Sequence, residues 1–397
     1  AWHLVHEGLF SSDPAGVANA KSDSFRDPGY PAFLALWMTV TDTNEHWYGI
    51  VLLSQAVLGG FTVTFATLAV RNLMPTWMLA MAATTMALWP HLVAIPAYVL
   101  SENLTAPLWA LAALALGEAA TRRSMTYTVV GAVALAASAL TTAVLGPLVV
   151  LLGLVFAWKR TMPRRQIATM VIVALAPLLA WGVRNSTMPS NTWSSSFRAE
   201  INLVQGSWPT YHAASRLYAL HDPVGIETIH AIDTEVLTLH NDRMQGLTMM
   251  MERMRHAPGT YLTWYLSKPA LLWGWEIGIG SGDIYVYPTR NSPFMTDPLL
   301  KAIEAVAFVF NGLLAVLALA GLAIVVMRRT PPAAMLVFAA TGAWVTAVYG
   351  VLQSDPRYSI PFRTGEIALA CTAVAAAIDC YRQRADRTRI ADTESVK

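Results

Sequence analysis

The chain has 397 residues, of which 55% are hydrophobic and only 13% charged, with a mean hydropathy of +0.44. Soluble domains carry about 25% charged residues, so roughly half the usual polar surface is missing and lipid must be the solvent for most of the chain. A net charge of +2 from 27 basic and 25 acidic residues leaves no basic excess to neutralise a nucleic-acid backbone, which excludes that partner class.

In chain order, residues 1–46 read as an extracytoplasmic first loop. Its apolar segment 30–40 is too short to cross about 30 Å of hydrocarbon and fits a juxtamembrane helix lying in the interface. Residues 47–186 hold apolar runs at 47–70, 76–100, 104–120 and 167–183. They also hold a longer stretch at 127–158, whose middle carries Thr141, Thr142, Gly146 and Pro147. That stretch reads as two helices joined by a tight bend, which makes about six crossings.

Residues 187–300 have ordinary polarity and form a small extracytoplasmic cap. Within it, 226–256 reads as one helix, with Ile229, Ile232, Val236, Leu239, Met244, Leu247 and Met251 at spacings of three to five, ended by Pro258 and Gly259. The Trp-, Tyr- and Leu-rich stretch 261–275 suits the headgroup level as an interfacial helix. Runs at 302–327, 333–352 and 362–381 add about three crossings in 301–381, and 382–397 is a basic cytoplasmic tail. The fold class expected is therefore an all-α integral membrane protein: a multi-helix transmembrane bundle with interfacial helices and a small cap.

Basic residues are retained on the cytoplasmic side. Arg71, Arg122 with Arg123, the cluster Lys159, Arg160, Arg164 and Arg165, Arg328 with Arg329, and Arg382 onward all ask to be inside. The connections near Ser101, Thr141 and Asp355, the first loop and the cap then lie outside, and nine crossings close this parity. Residues 1–46 carry neither an initiator Met nor a signal peptide, so a transmembrane helix is expected upstream of Ala1.

Charges at the edge of membrane segments are expensive and are default functional candidates. The richest outer cluster is Ser354, Asp355, Pro356, Arg357 and Tyr358, followed by Pro361 and Arg363. Arg357 could hold a phosphate with its forked donors while Tyr358 supplies a hydroxyl; equally, Arg357 could pair with Asp355 or snorkel to lipid phosphate. Near the start, Lys21, Asp23, Arg26 and Asp27 precede Pro28-Gly29-Tyr30-Pro31, where Arg26 could grip a lipid phosphate or belong to a solvated loop.

Glu102 either caps the helix starting at Asn103 or faces a cavity as a carboxylate. Arg184 with Asn185 reads first as an anchor of a helix end. His3, His6, His212, His221, His230, His240 and His256 read as surface residues, and His91 as a buried contact at a helix break. Cys371 and Cys380 offer neither metal-ligand spacing nor a disulfide framework. No nucleotide-binding Gly loop is present, against an ATP-driven pump.

These pieces resemble a known family in their order: Ala1-Trp2-His3-Leu4 to Ser11, Arg26-Asp27-Pro28-Gly29-Tyr30-Pro31, Leu88-Trp89-Pro90, Ser101-Glu102, Leu140-Thr141-Thr142, Trp181-Gly182-Val183-Arg184-Asn185, Ala257-Pro258-Gly259, and Asp355-Pro356-Arg357-Tyr358. The chain resembles the membrane glycosyltransferases of the GT-C fold, in particular the bacterial protein mannosyltransferase and aminoarabinose transferase-like family (glycosyltransferase family 39-like).

The resemblance implies inverting transfer of a sugar from a polyprenyl-phosphate carrier to an acceptor glycan, lipid or protein at the outer face of the cytoplasmic membrane. It places the catalytic aspartate base after a helix upstream of Ala1. On this chain it assigns Arg26, Asp355, Arg357 and Tyr358 to substrate binding, with Glu102 as a further acidic candidate for catalysis. Thr142 departs from the pattern, since many relatives have Arg there. No metal site is expected from the residues, and a divalent metal stays open as a cofactor. A secondary transporter or flippase of a lipid-linked or anionic substrate is the rival reading, and a non-catalytic scaffold a third.

Overall fold

The computed structural model describes residues 1–17, 19–41, 46–188, 194–275 and 293–395. Parts of the expected cap, 189–193 and 276–292, lie outside the described residues. Among those described, every regular element is helical, and the chain is a multi-pass all-α membrane protein. Six segments are long and apolar enough to cross a bilayer: Trp47–Val70, Glu102–Arg122, Arg164–Ser186, Pro298–Met327, Ala333–Val351 and Pro356–Gln383.

The helices in chain order begin with α1 (Trp2–His6), α2 (Gly29–Thr41), α3 (Trp47–Val70), α4 (Thr76–Leu88), α5 (Pro90–Ala94), α6 (Glu102–Arg122), α7 (Met125–Thr141), α8 (Leu148–Lys159) and α9 (Arg164–Ser186). The cap holds α10 (Ser195–Ser207), α11 (Tyr211–Ala219), α12 (Pro223–Asn241), α13 (Arg243–His256) and α14 (Pro258–Leu272). After these come α15 (Pro293–Thr296), α16 (Pro298–Met327), α17 (Ala333–Val351) and α18 (Arg363–Ser395). The last helix continues through the expected tail rather than ending at 381.

Three of the nine expected crossings depart from a plain span. The run 76–100 is a broken pair, Thr76–Leu88 and Pro90–Ala97, bent by 49°. Pro90 forces the break, because the residue before a proline is pushed out of the helical region, and Trp89 sits at φ −65, ψ 116. Carbonyls freed in the unwound stretch must be satisfied internally in lipid. Gln55 Nε2 donates to Pro96 O and Tyr98 O at 2.8 and 3.1 Å, and Asn103 Nδ2 donates to Tyr98 O at 2.8 Å. The stretch 127–158 does split, into α7 and Ala143–Lys159, each shorter than an ordinary span. The bend is held by Thr105 Oγ1 and Thr142 Oγ1 at 2.7 Å and by Trp344 Nε1 donating to Val144 O at 2.7 Å.

Helix α6 is the centre of the bundle. Its Ala106, Ala110, Ala112, Ala113, Ala115 and Ala119 are all buried, the small-residue surface that lets helices approach closely where lipid removes the hydrophobic drive. Trp109 is the largest side chain sealed there, donating to Thr341 Oγ1 at 3.0 Å with Phe338 and Phe362 rings at 5.0 and 5.2 Å.

The cap has its own core of Val204, Ile232, Val236, Leu239 and Met250. The single helix expected over 226–256 is two helices. Asp242 ends the first and caps the second, accepting from Gln245 N at 3.0 Å. Gly246 lets α13 fold back against Leu239, where a Cβ would collide.

The connections gather at two ends. At one, Arg71 and Arg122 both bind Glu118 at 2.6 Å, and Lys159 Nζ donates to Val326 O and Arg328 O at 2.5 and 3.1 Å. At the other meet the first loop, the cap, and the turns near Ser101, Thr142 and Asp355.

Candidate functional site

At the cap end the short loop Asp27-Pro28-Gly29 lies against the α7–α8 bend. Gly29 permits this contact, since a Cβ there would collide with the Thr141 side chain. Asp27 Oδ2 accepts from Ala143 N at 3.0 Å and its Oδ1 binds Arg198 Nη2 at 2.5 Å. Asp27 is therefore a structural link between the first loop, the bend and the cap.

Arg357 and Glu102 form an ion pair between the turn after α17 and the start of α6, their side chains 17% and 7% exposed. Ser101 Oγ donates to the second Glu102 oxygen at 3.2 Å. Glu102 does not cap its helix, where Ser101 is the N-cap and makes no side-chain cap bond. Asp355 does cap, accepting from Arg357 N at 2.9 Å. Asp355, one of the alternative partners for Arg357, accepts from its backbone N, and the guanidinium reaches Glu102. Tyr358 stacks on Tyr349 with ring centres 4.6 Å apart and planes at 14°.

Arg26 completes the cluster. Partial burial first, and then the like charges of Arg198 and Arg357, lower its guanidinium below its ordinary value, with Asp27 and Asp23 opposing. Arg26, Arg198 and Arg357 thus share one electrostatic neighbourhood, although they come from the first loop, the cap and the last outer turn. Arg198 carried no local sequence signal; only the packing of the cap over the first loop brings it in.

The turn bearing Arg357 is clamped from the cap. Gln353 N donates to Asn202 O at 2.9 Å, His212 Nε2 to Ser354 O at 2.8 Å, and Ser354 Oγ to Lys268 O at 3.1 Å. The buried Lys268 reaches Val351 O and Leu352 O at 3.2 and 2.9 Å, closing the end of α17. Beside Glu102 opens an apolar groove of about 400 Å³, lined by Gly59, Gly60, Met86, Ile95, Ala106 and Ile360 among others.

Several sequence expectations shift. Arg363, grouped with Arg357 above, is fully buried and pairs with Glu366 Oε2 at 2.8 Å, Asn311 Oδ1 at 3.3 Å and Gly274 O at 2.8 Å. His3 is no surface residue. It is 2% exposed, with Nδ1 donating to Glu7 at 2.8 Å and Nε2 lying 3.2 and 3.0 Å from Asp13 O and Pro14 O. His212 and His240 are also engaged, the latter with Glu200 at 2.8 Å. Arg184 anchors the first loop, as expected of a helix end: Nη2 donates to Ser22 Oγ at 2.6 Å, Nη1 reaches Asp23 O, and the guanidinium lies 4.7 Å from the Trp181 ring. Among the described residues no group of three His, Cys, Asp or Glu could hold a metal ion.

Fold and site together define a multi-pass helical membrane protein with a cationic cluster at one end of its bundle. No family model matches the chain, and no curated protein matches it. Among solved structures it is similar to the archaeal oligosaccharyltransferase AglB from Archaeoglobus fulgidus, in complex with an inhibitory peptide and a dolichol-phosphate. That similarity has a TM-score of 0.49 at 13% identity and covers 95% of this chain and 45% of that one. The chain therefore spans under half the length of that protein.

Proposed function

We propose that the chain is a GT-C-type membrane glycosyltransferase, moving a sugar from a polyprenyl-phosphate carrier to an acceptor at the outer face of the cytoplasmic membrane. The observation that carries this reading is the Arg357–Glu102 ion pair, whose carboxylate lines an apolar groove, with Arg26 near enough for the Arg357 charge to bear on it. A lipid phosphate needs both parts: cations for the headgroup and a greasy channel for the chain. The motif order described above supports the same reading, as does the two-ended charge segregation, which puts the cationic cluster opposite the Arg71 and Lys159 end.

In the displacement, the acceptor hydroxyl attacks the anomeric carbon from the face opposite the phosphate, the carbon–oxygen bond to phosphate breaks, and the carrier phosphate leaves with the bonding pair. Arg357 and Arg26 stabilise the charge that grows on that phosphate, a role for fixed cations in a partly dry site. Glu102 is spent on holding Arg357, so we assign it to orientation of the guanidinium rather than to proton abstraction. Tyr358 supports the headgroup from its stack on Tyr349, and Asp355 shapes the turn that presents Arg357. The acceptor proton passes to a general base, a role assigned to none of these residues.

The test is transfer from a labelled polyprenyl-phosphate sugar by the full-length protein in liposomes. Arg357→Ala should lower kcat by on the order of a hundredfold, the size of effect seen when one stabilising donor is removed from a developing anion. Unchanged transfer removes Arg357 from the site, and carrier movement across the bilayer without transfer replaces this reading by the transporter.

A further inference from the structure

The bundle end marked by Arg71 and Lys159 holds cations that glycosyl transfer at the opposite end does not use. The α8–α9 turn carries Arg160, Arg164 and Arg165, and the α16–α17 turn carries Arg328 and Arg329, all of them exposed. We propose that these two turns together bind the headgroup of an anionic phospholipid that carries two phosphates, one phosphate to each turn. Such a site is independent of the chemistry at the other end.

The first ground is uncompensated charge. The chain has no carboxylate between Glu118 and Glu200, nor between Glu304 and Asp355. Glu118, at the same end, is taken by Arg71 and Arg122. Among the described residues no ion pair joins any of these turn arginines to an acid. Guanidiniums so placed at a membrane edge take phosphate as their counter-ion, with two parallel hydrogen bonds to each group.

The second is that the two turns are tied together. Lys159, the last residue of α8, donates to Val326 O and Arg328 O at the end of α16, at 2.5 and 3.1 Å. These are carbonyls that a helix C-terminus leaves unpaired. The Lys159 charge is thereby spent inside the protein, and the two groups of arginines are brought to one place. Arg160 is the C-cap of α8 and sits in the left-handed region at φ +53. Glycine fills such a cap without strain, so an arginine there is held at a cost to the backbone. Retention of basic residues on one side of a membrane accounts for a number of charges. It calls neither for a lysine that joins two turns nor for an arginine in a glycine position.

The third is the apolar surface next to the cations. Leu154 and Trp158 lie four residues apart on one face of α8, 64% and 69% exposed, and Met327 at the end of α16 is 82% exposed. Lys159 Nζ lies 4.3 Å from the Trp158 ring. A free polyphosphate offers these side chains nothing, whereas a phospholipid lays acyl chains against them and sets its phosphates at the guanidiniums. A lipid with a single phosphate engages only one of the turns.

The experiment titrates the full-length protein in detergent micelles with diphosphatidylglycerol, phosphatidylglycerol or phosphatidylcholine and reads the bound lipid by native mass spectrometry. Wild type should hold one diphosphatidylglycerol about tenfold more tightly than phosphatidylglycerol, with phosphatidylcholine weaker still. Arg164→Gln and Arg328→Gln should each weaken diphosphatidylglycerol about fivefold, the weight of one cation at an anionic headgroup, and the double variant about twenty-fivefold. Arg122→Gln, at the same end but paired with Glu118, should leave binding unchanged.

Equal retention of the three lipids by wild type overturns the proposal, and that comparison needs no variant. A double variant that melts like wild type and binds diphosphatidylglycerol as tightly overturns it too, as does an equal loss in Arg122→Gln. Displacement of the lipid by an equal concentration of inorganic pyrophosphate overturns it in favour of a site for free anions.

Discussion

Two Arg–Glu pairs, six residues apart in sequence at their arginines, have opposite characters. Arg357–Glu102 joins distant elements at the cap end and keeps partial exposure beside an apolar groove. Arg363–Glu366 is local, one helical turn, and its side chains are 0% and 3% exposed. The interior pair is sealed, and the further hydrogen bonds of its arginine run to Asn311 and Gly274. An arginine near the membrane edge is therefore not a binding group by position alone; what separates the two is that Arg357 stays 17% exposed and Arg363 is sealed.

The largest effect should come from the sealed pair. Glu366→Ala leaves a buried cation uncompensated and should destabilise the protein by about 3–5 kcal/mol, whereas Glu102→Ala at the rim should cost about 1 kcal/mol in melting experiments. Equal losses would dissolve the distinction. Next, Gly29→Ala forces a methyl into the Thr141 side chain and should cost about 1–3 kcal/mol. It also lifts Asp27 off Ala143, so sugar transfer should fall further than stability alone explains.

Arg198→Ala should sharpen the description of the rim. It removes one cation from the cluster and should raise KM for the lipid-phosphate donor about tenfold, or about 1.4 kcal/mol, with kcat little changed. A fall in kcat instead would move Arg198 into the chemistry.

The smallest effect is the pH response of the first loop. The hydrogen bond to Glu7, with the carbonyls behind it, raises the His3 pKa from 6.5. The protonated ring is favoured by folding, so its contribution is complete below the unfolded pKa and is lost as pH rises through the raised folded value. The melting difference between wild type and His3→Gln should therefore shrink on going from about pH 5.5 to 8.5. A difference independent of pH would show that His3 contributes through packing alone.

Much of the fold was legible because apolar runs are a local property. The helix α3 begins and ends where its run does, and the bend at Thr141 and Thr142 was marked by its own polar and proline residues. The split at Asp242 was hidden, because hydrophobic spacing continues through it and only the capping geometry and the close approach at Gly246 reveal the turn. In the site, Arg357 and Arg26 were visible as charges that membrane edges do not keep cheaply. Arg198 was not, since it sits in an ordinary amphipathic helix of the cap.

Composition and the placement of basic residues by themselves determined that this is a helical membrane protein with chemically unlike ends, because the energetic cost of charge in lipid acts on each residue separately. Tertiary packing alone decided which arginine meets which carboxylate, and which of the pairs is sealed. Such pairings join residues hundreds of positions apart, and only the crossing of α6 with the turn after α17 brings Glu102 and Arg357 together.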